Sequence, residues 1–107
     1  MPGSPVWWQG PHWPAIRHEA HFGDRVLRCF HPRPAGLHAL LEQAAERFGD
    51  NEALVGGGIR MRWREVMQAA TDLAAGFTRL GIARGDRVVL FLSNRPEFVV
   101  ALFALQR

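Results

Sequence analysis

Between residues 18 and 31, four residues have side chains suited to chemistry at neutral pH: His18, His21, Cys29 and His31. Imidazole and thiolate bind soft or borderline metals, and two such pairs brought together would supply the four ligands of a zinc site. The separation of the pairs matches no zinc motif, so the expectation is polar surface with no metal. Cys29 would act as a nucleophile only with a base and an orienting group beside it, and nothing around it in sequence defines a pocket.

A second candidate is the run Gly56-Gly57-Gly58, because glycines let backbone amides approach an anion. A phosphate loop is followed by a helix N-terminus carrying Lys and Ser or Thr, whereas Ile59-Arg60-Met61-Arg62 has the character of a strand. The expected role is a hairpin turn. Arg84-Gly85-Asp86 spells an adhesion tripeptide, but it stands at the entry to an apolar segment, where glycine turns the chain. Gly23-Asp24-Arg25-Val26 recurs as Gly85-Asp86-Arg87-Val88, and flanks that share little make this a coincidence rather than a duplication.

The elements that must position these residues have to fit in 107 residues, enough for one small domain, and almost half of the residues are apolar. All thirteen basic residues are arginine and there is no lysine, which removes Schiff-base, phosphate-loop and lysine-clamp mechanisms from this chain. The arginines are interleaved with ten acidic residues, so the basic balance implies no nucleic-acid partner. One cysteine allows no internal disulfide, and a cytoplasmic location is the simpler expectation. The start lacks the pattern of a signal peptide, and the apolar run Val99 to Leu105 is too short to span a bilayer.

Residues 1 to 36 hold six of the seven prolines and three of the four tryptophans, Trp7, Trp8 and Trp13, with little periodicity. They are expected to form an irregular arm that packs across a body. From Leu37 the pattern becomes helical, with Leu37, Leu40, Leu41, Ala44 and Phe48 on one face and Gly49 closing in a left-handed conformation. Glu52 to Val55 and Ile59 to Trp63 read as a hairpin around the glycines.

A second helix is expected from about Arg64 to Leu80, its buried stripe formed by Val66, Ala70, Leu73, Phe77 and Leu80, with Gly81 terminating it. Asp86 to Leu92 is continuously apolar after its first two residues and resembles a strand covered on both faces in a parallel sheet. Ser93 or Asn94 would cap a third helix that begins near Pro96 and Glu97 and is apolar nearly all round. The fold class is therefore α/β: helix, β-hairpin, helix, parallel-type strand, helix, with an arm over 1–36 and an incomplete subdomain over 37–107. A parallel-type strand without a partner and a last helix with an uncovered side both mark the sequence as a fragment, expected to be sticky as a free chain.

Residues 37 to 107 resemble, in order and spacing, the opening of the adenylate-forming (AMP-dependent) synthetase superfamily, which includes acyl-CoA synthetases and aryl-acid AMP ligases. The matching pieces begin with Leu40-Leu41-Glu42-Gln43-Ala44-Ala45-Glu46-Arg47-Phe48-Gly49-Asp50, Ala53-Leu54-Val55 and Trp63-Arg64-Glu65-Val66. They continue through Leu73-Ala74-Ala75-Gly76-Phe77, Leu80-Gly81-Ile82-Ala83-Arg84-Gly85-Asp86-Arg87-Val88 and Asn94-Arg95-Pro96-Glu97-Phe98. Where the family usually has Thr or Ser and then Tyr, this sequence has Arg62-Trp63, so the reciprocal cap with Glu65 loses its hydroxyl and the helix start is expected to weaken by roughly 1 kcal/mol. Ser93 replaces a proline common before the Asn.

The resemblance implies an enzyme that joins ATP to a carboxylic acid, releasing pyrophosphate, and then lets a thiol such as CoA displace AMP. ATP, Mg and CoA are thus implied for a full-length parent, with the rest of the synthetase as this chain's partner. The family's phosphate loop, adenosine-binding acidic positions and catalytic lysine lie downstream of the matched region. Catalytic, cofactor-binding and metal residues are accordingly expected to be absent from this chain, which would be inactive alone. The alternative is a small non-enzymatic interaction module, or a decayed gene remnant, that docks a partner through the Trp-rich arm and the apolar last helix.

Overall fold

A computed structural model describes residues 13–107. The chain divides into two compact units, Met1–Pro34 and Ala35–Arg107.

The described part of the first unit is an antiparallel hairpin of β1 (Ala15–His21) and β2 (Arg25–His31), paired from Ala15 opposite His31 to His21 opposite Arg25. This corrects the expectation of an irregular arm throughout residues 1–36; Trp7 and Trp8 lie outside the described residues. The strand pattern was hidden because polar side chains occupy both faces: Arg17, Glu19 and His21 on one, His18 and Arg28 on the other. No apolar stripe marks the period, and polar cross-strand contacts join the strands instead. Trp13 stacks on Phe30, with ring centroids 5.8 Å apart. Phe22 and Gly23 turn the hairpin with positive φ angles of 55° and 87°.

The second unit begins with α1 (Leu37–Phe48), followed by β3 (Glu52–Gly56), β4 (Ile59–Arg62), α2 (Trp63–Arg79) and α3 (Pro96–Leu105). β3 and β4 form the expected hairpin, with Gly56 opposite Ile59 and an irregularity between Glu52 and Leu54. Gly57 and Gly58 both have positive φ, 57° and 77°, the requirement of the tight two-residue turn that matches strand twist.

Two helix ends differ from expectation. Gly49 after α1 is right-handed, φ −49°, and the chain instead folds back through a hydrogen bond from the Asn51 amide to the Phe48 carbonyl at 2.8 Å. α3 is capped by extended Arg95 rather than by Ser93 or Asn94, and Pro96 fills its first position as expected. At the end of α2, Gly81 takes φ 91°, and the amides of Gly81 and Ile82 close on the carbonyls of Thr78 and Phe77.

Leu41, Val66, Ala70 and Ala104 form the buried cluster, where α1 and α3 pack against α2 with Leu54, Met61 and Phe103 around them. The α2 stripe is buried at Val66 and Ala70, partly covered at Leu73 and Phe77, and ends at Leu80, which is 80% exposed. Alanine at positions 70, 101 and 104 gives a close helix contact but a small core. Much of the apolar pattern stays uncovered, including Leu37, Leu40 and Phe48 on α1.

Asp86–Leu92, expected as a parallel strand, carries no regular secondary structure and has no ladder partner among the described residues. A strand is defined by hydrogen bonds to a neighbour, so an apolar segment without one stays open backbone. Phe91 is 98% exposed and Val89 86%.

Candidate functional site

Pairing β1 with β2 gathers the polar residues of one hairpin face around Glu19. Alternation puts Arg17, Glu19 and His21 on this face, and the register brings Cys29 opposite Arg17. Arg17 Nε donates to Glu19 Oε1 at 2.6 Å, and Arg33 clamps the carboxylate with Nη1 on Oε1 at 3.0 Å and Nη2 on Oε2 at 2.8 Å. Arg33 Nη1 also donates to the Phe30 carbonyl, which ties the segment after β2 back to the hairpin. His21 Nε2 lies 2.9 Å from Glu19 Oε2, and Cys29 Sγ lies 3.8 Å from the same nitrogen.

The guanidinium of Arg33, helped by Arg17 and by His21, holds the Glu19 carboxyl far below the usual carboxylate range. Its side chain is 12% exposed, the least exposed of the acids that form ion pairs among the described residues.

Of the four residues singled out by type, the fold unites two. His21 and Cys29 converge, His31 lies on the same face with Nε2 3.3 Å from Arg17 Nη1, and His18 belongs to the opposite face. A separation of three residues cannot place two strand side chains on one side. Arg17, Glu19 and Arg33 had not been singled out; the alternation Arg17, Glu19, His21 was their only sequence signal, and it is read only once the segment is known to be a strand.

The glycine run sits at a hairpin tip and leads into β4, not into a helix N-terminus, as its flanks indicated. The carboxylates of the second unit are drawn into local structure. Asp50 pairs with Arg64, Glu52 with Arg60 and Glu97 with Arg95, while Asp86 accepts from the Ala83 amide at 2.8 Å. The Arg84-Gly85-Asp86 sequence is therefore a fastened turn, with Gly85 at φ 91°. Gly23 and Gly85 both occupy the left-handed region, so the recurring Gly-Asp-Arg-Val marks a similar local turn in two places. The glycine turn is not followed by a helix N-terminus and the chain has no lysine, so this run lacks the features of a phosphate loop.

The second unit has an open trough of about 1180 Å³, walled by the end of α2, the segment 82–90 and the end of α3. Phe77, Ile82, Val88, Leu90, Leu102 and Leu105 line it together with Thr78, Arg79, Arg84, Asp86, Gln106 and Arg107, so its lining is mixed, apolar and charged. No helix among the described residues is long and apolar enough to cross a membrane.

Residues 41–107 match the AMP-binding enzyme family. Among curated proteins, the chain is 46% identical over 67 residues to a vibriobactin-specific 2,3-dihydroxybenzoate-AMP ligase of Vibrio cholerae, covering 63% of this chain and 12% of that protein. It is 47% identical over 89 residues to triostin synthetase I of Streptomyces triostinicus, covering 81% of this chain and 16% of that protein. A 4-coumarate–CoA ligase of Humulus lupulus is 32% identical over 85 residues, 78% of this chain and 16% of the ligase. The chain thus spans less than a fifth of the length of these relatives. No solved structure matches it significantly.

Proposed function

This chain belongs to the AMP-binding enzyme family, and on that premise we propose that it forms the opening portion of an AMP-forming acid–thiol ligase. In such an enzyme a carboxylate attacks the α-phosphate of ATP, pyrophosphate leaves, and a thiol such as CoA or a carrier then displaces AMP from the acyl-adenylate. The observation that carries the reading is the family match across residues 41–107. The described elements contribute framework: a helical layer of α1, α2 and α3, and an exposed apolar segment, 86–92, suited to join the sheet of the remaining parent. ATP and magnesium would be held by that remainder, in a cytoplasmic setting.

A second reading, a small interaction module, draws on the exposure of Val89 and Phe91. Carboxylic-acid-dependent exchange of labelled pyrophosphate into ATP separates the two. The expected outcome is no exchange by residues 1–107 alone and clear exchange by a protein that continues past Arg107 into a Ser/Thr/Gly-rich loop carrying lysine. Exchange by the 107-residue chain would overturn the assignment of catalysis to the remainder, and a reading frame that closes after Arg107 would favour the interaction module.

A further inference from the structure

Glu19, His21 and Cys29 present three different donor atoms, from two paired strands, within 4.8 Å of one another. We propose that this face of the first hairpin binds a borderline-soft divalent cation, zinc above all, through Glu19 Oε2, His21 Nε2 and Cys29 Sγ. Thiolate and imidazole together select for such ions over magnesium or calcium, and a carboxylate completes a three-ligand set that leaves the fourth position to water.

The spacing supports it. Tetrahedral zinc with ordinary bond lengths separates a nitrogen from a sulfur ligand by about 3.6 Å and a nitrogen from an oxygen ligand by about 3.3 Å. The present separations are 3.8 Å for His21 Nε2 to Cys29 Sγ and 2.9 Å for His21 Nε2 to Glu19 Oε2. Adjustments of a few tenths of an ångström bring these two pairs to ligating distance, and Cys29 Sγ and the Glu19 carboxylate, within 4.8 Å of each other, close to about 3.6 Å by side-chain rotation.

The neighbouring arginines set the character of the site. A carboxylate has about four lone-pair positions. Arg17 takes one on Oε1 and Arg33 one on each oxygen, which leaves on Oε2 the position now facing His21. The cation takes the place of the proton shared there, and Arg33 orients the carboxylate as an outer partner. Two guanidiniums nearby repel a cation, so the affinity falls below that of closed four-ligand structural sites. His21 is 35% exposed at its side chain and leaves an entry path.

The test is titration of the purified 107-residue chain with Co²⁺, following thiolate-to-cobalt charge-transfer absorption, with Zn²⁺ as competitor. One saturable equivalent displaced by zinc is expected. Cys29→Ser should abolish the absorption. His21→Ala should weaken binding by more than the roughly 10- to 100-fold that loss of an outer partner costs. His18→Ala, on the opposite face, should change nothing. Cys29→His keeps three donors, so it should still bind one zinc while losing the absorption, which separates a lost ligand from a lost fold. The proposal is overturned by the absence of charge-transfer absorption in a chain whose circular dichroism shows its strands and helices, or by absorption that survives His21→Ala. Failure of folded Cys29→His to bind zinc has the same force.

Discussion

Glu19 is the residue on which the first hairpin most depends. Its carboxylate collects Arg17 and His21 from β1 itself and Arg33 from the segment after β2, and the Arg33 contact ties that segment to the strand. Because these partners depress its pKa in the folded hairpin, the ionised form favours folding. That contribution is complete above the ordinary carboxyl value of 4.5 and is lost as the pH falls below it, through the folded-state value. Acidification from pH 7 to below 4.5 should therefore shift the backbone amide resonances of residues 15–31 toward unfolded positions. Glu19→Gln should be perturbed already at pH 7 and should lose this acid transition; an acid transition of the same size in Glu19→Gln would refute the assignment. The metal proposal concerns the same residue but is read by cobalt absorption, so the two tests fail independently.

Among the elements, α2 shows how a local rule is broken and partly replaced. Arg62 at its N-cap has only donors, so it cannot accept from the helix amides as a threonine hydroxyl would. Half of the reciprocal arrangement survives, since the Arg62 amide donates to Glu65 at 2.6 Å. The first two helix amides, Trp63 and Arg64, reach instead to the carbonyls of Asn51 at 3.1 Å and Gly49 at 3.2 Å. The turn after α1 thus caps α2, which accounts for the right-handed Gly49. Arg62→Thr should restore the hydroxyl partner for the Glu65 amide and stabilise the second unit by about 1 kcal/mol, measured as a shift in the urea midpoint. The Arg62–Asp50 pair that this removes spans 4.0 Å between exposed groups and contributes little.

The whole molecule has a small core and a large uncovered apolar surface. Among the described residues Leu41 and Val66 are the largest side chains that are almost wholly buried, and Leu41→Ala should cost about 2–5 kcal/mol, a large part of the stability of any small domain, read by urea unfolding. The exposed Val89, Phe91, Leu37 and Leu40 should bind a hydrophobic dye and drive association of the free chain; a dye-silent, cooperatively unfolding monomer would contradict this. How much of this was legible beforehand follows from where each element draws its order. α1, α2, α3 and the second hairpin came from the sequence itself, because helical period, glycine turns and prolines act within a few residues, and the family was legible for the same reason: its signature is an ordered series of such local pieces. The first hairpin escaped, because a strand with polar residues on both faces carries no period and is defined only by its partner across the turn. For the same reason the sequence could name His21 and Cys29 as chemically capable but could not add Glu19, Arg17 and Arg33, or set His18 aside: pairing register, a property of two strands and not of one, decided which side chains share a face. The segment 86–92 reverses the case, since its apolar run announced a strand while the ladder that would make it one depends on neighbours that no described residue supplies.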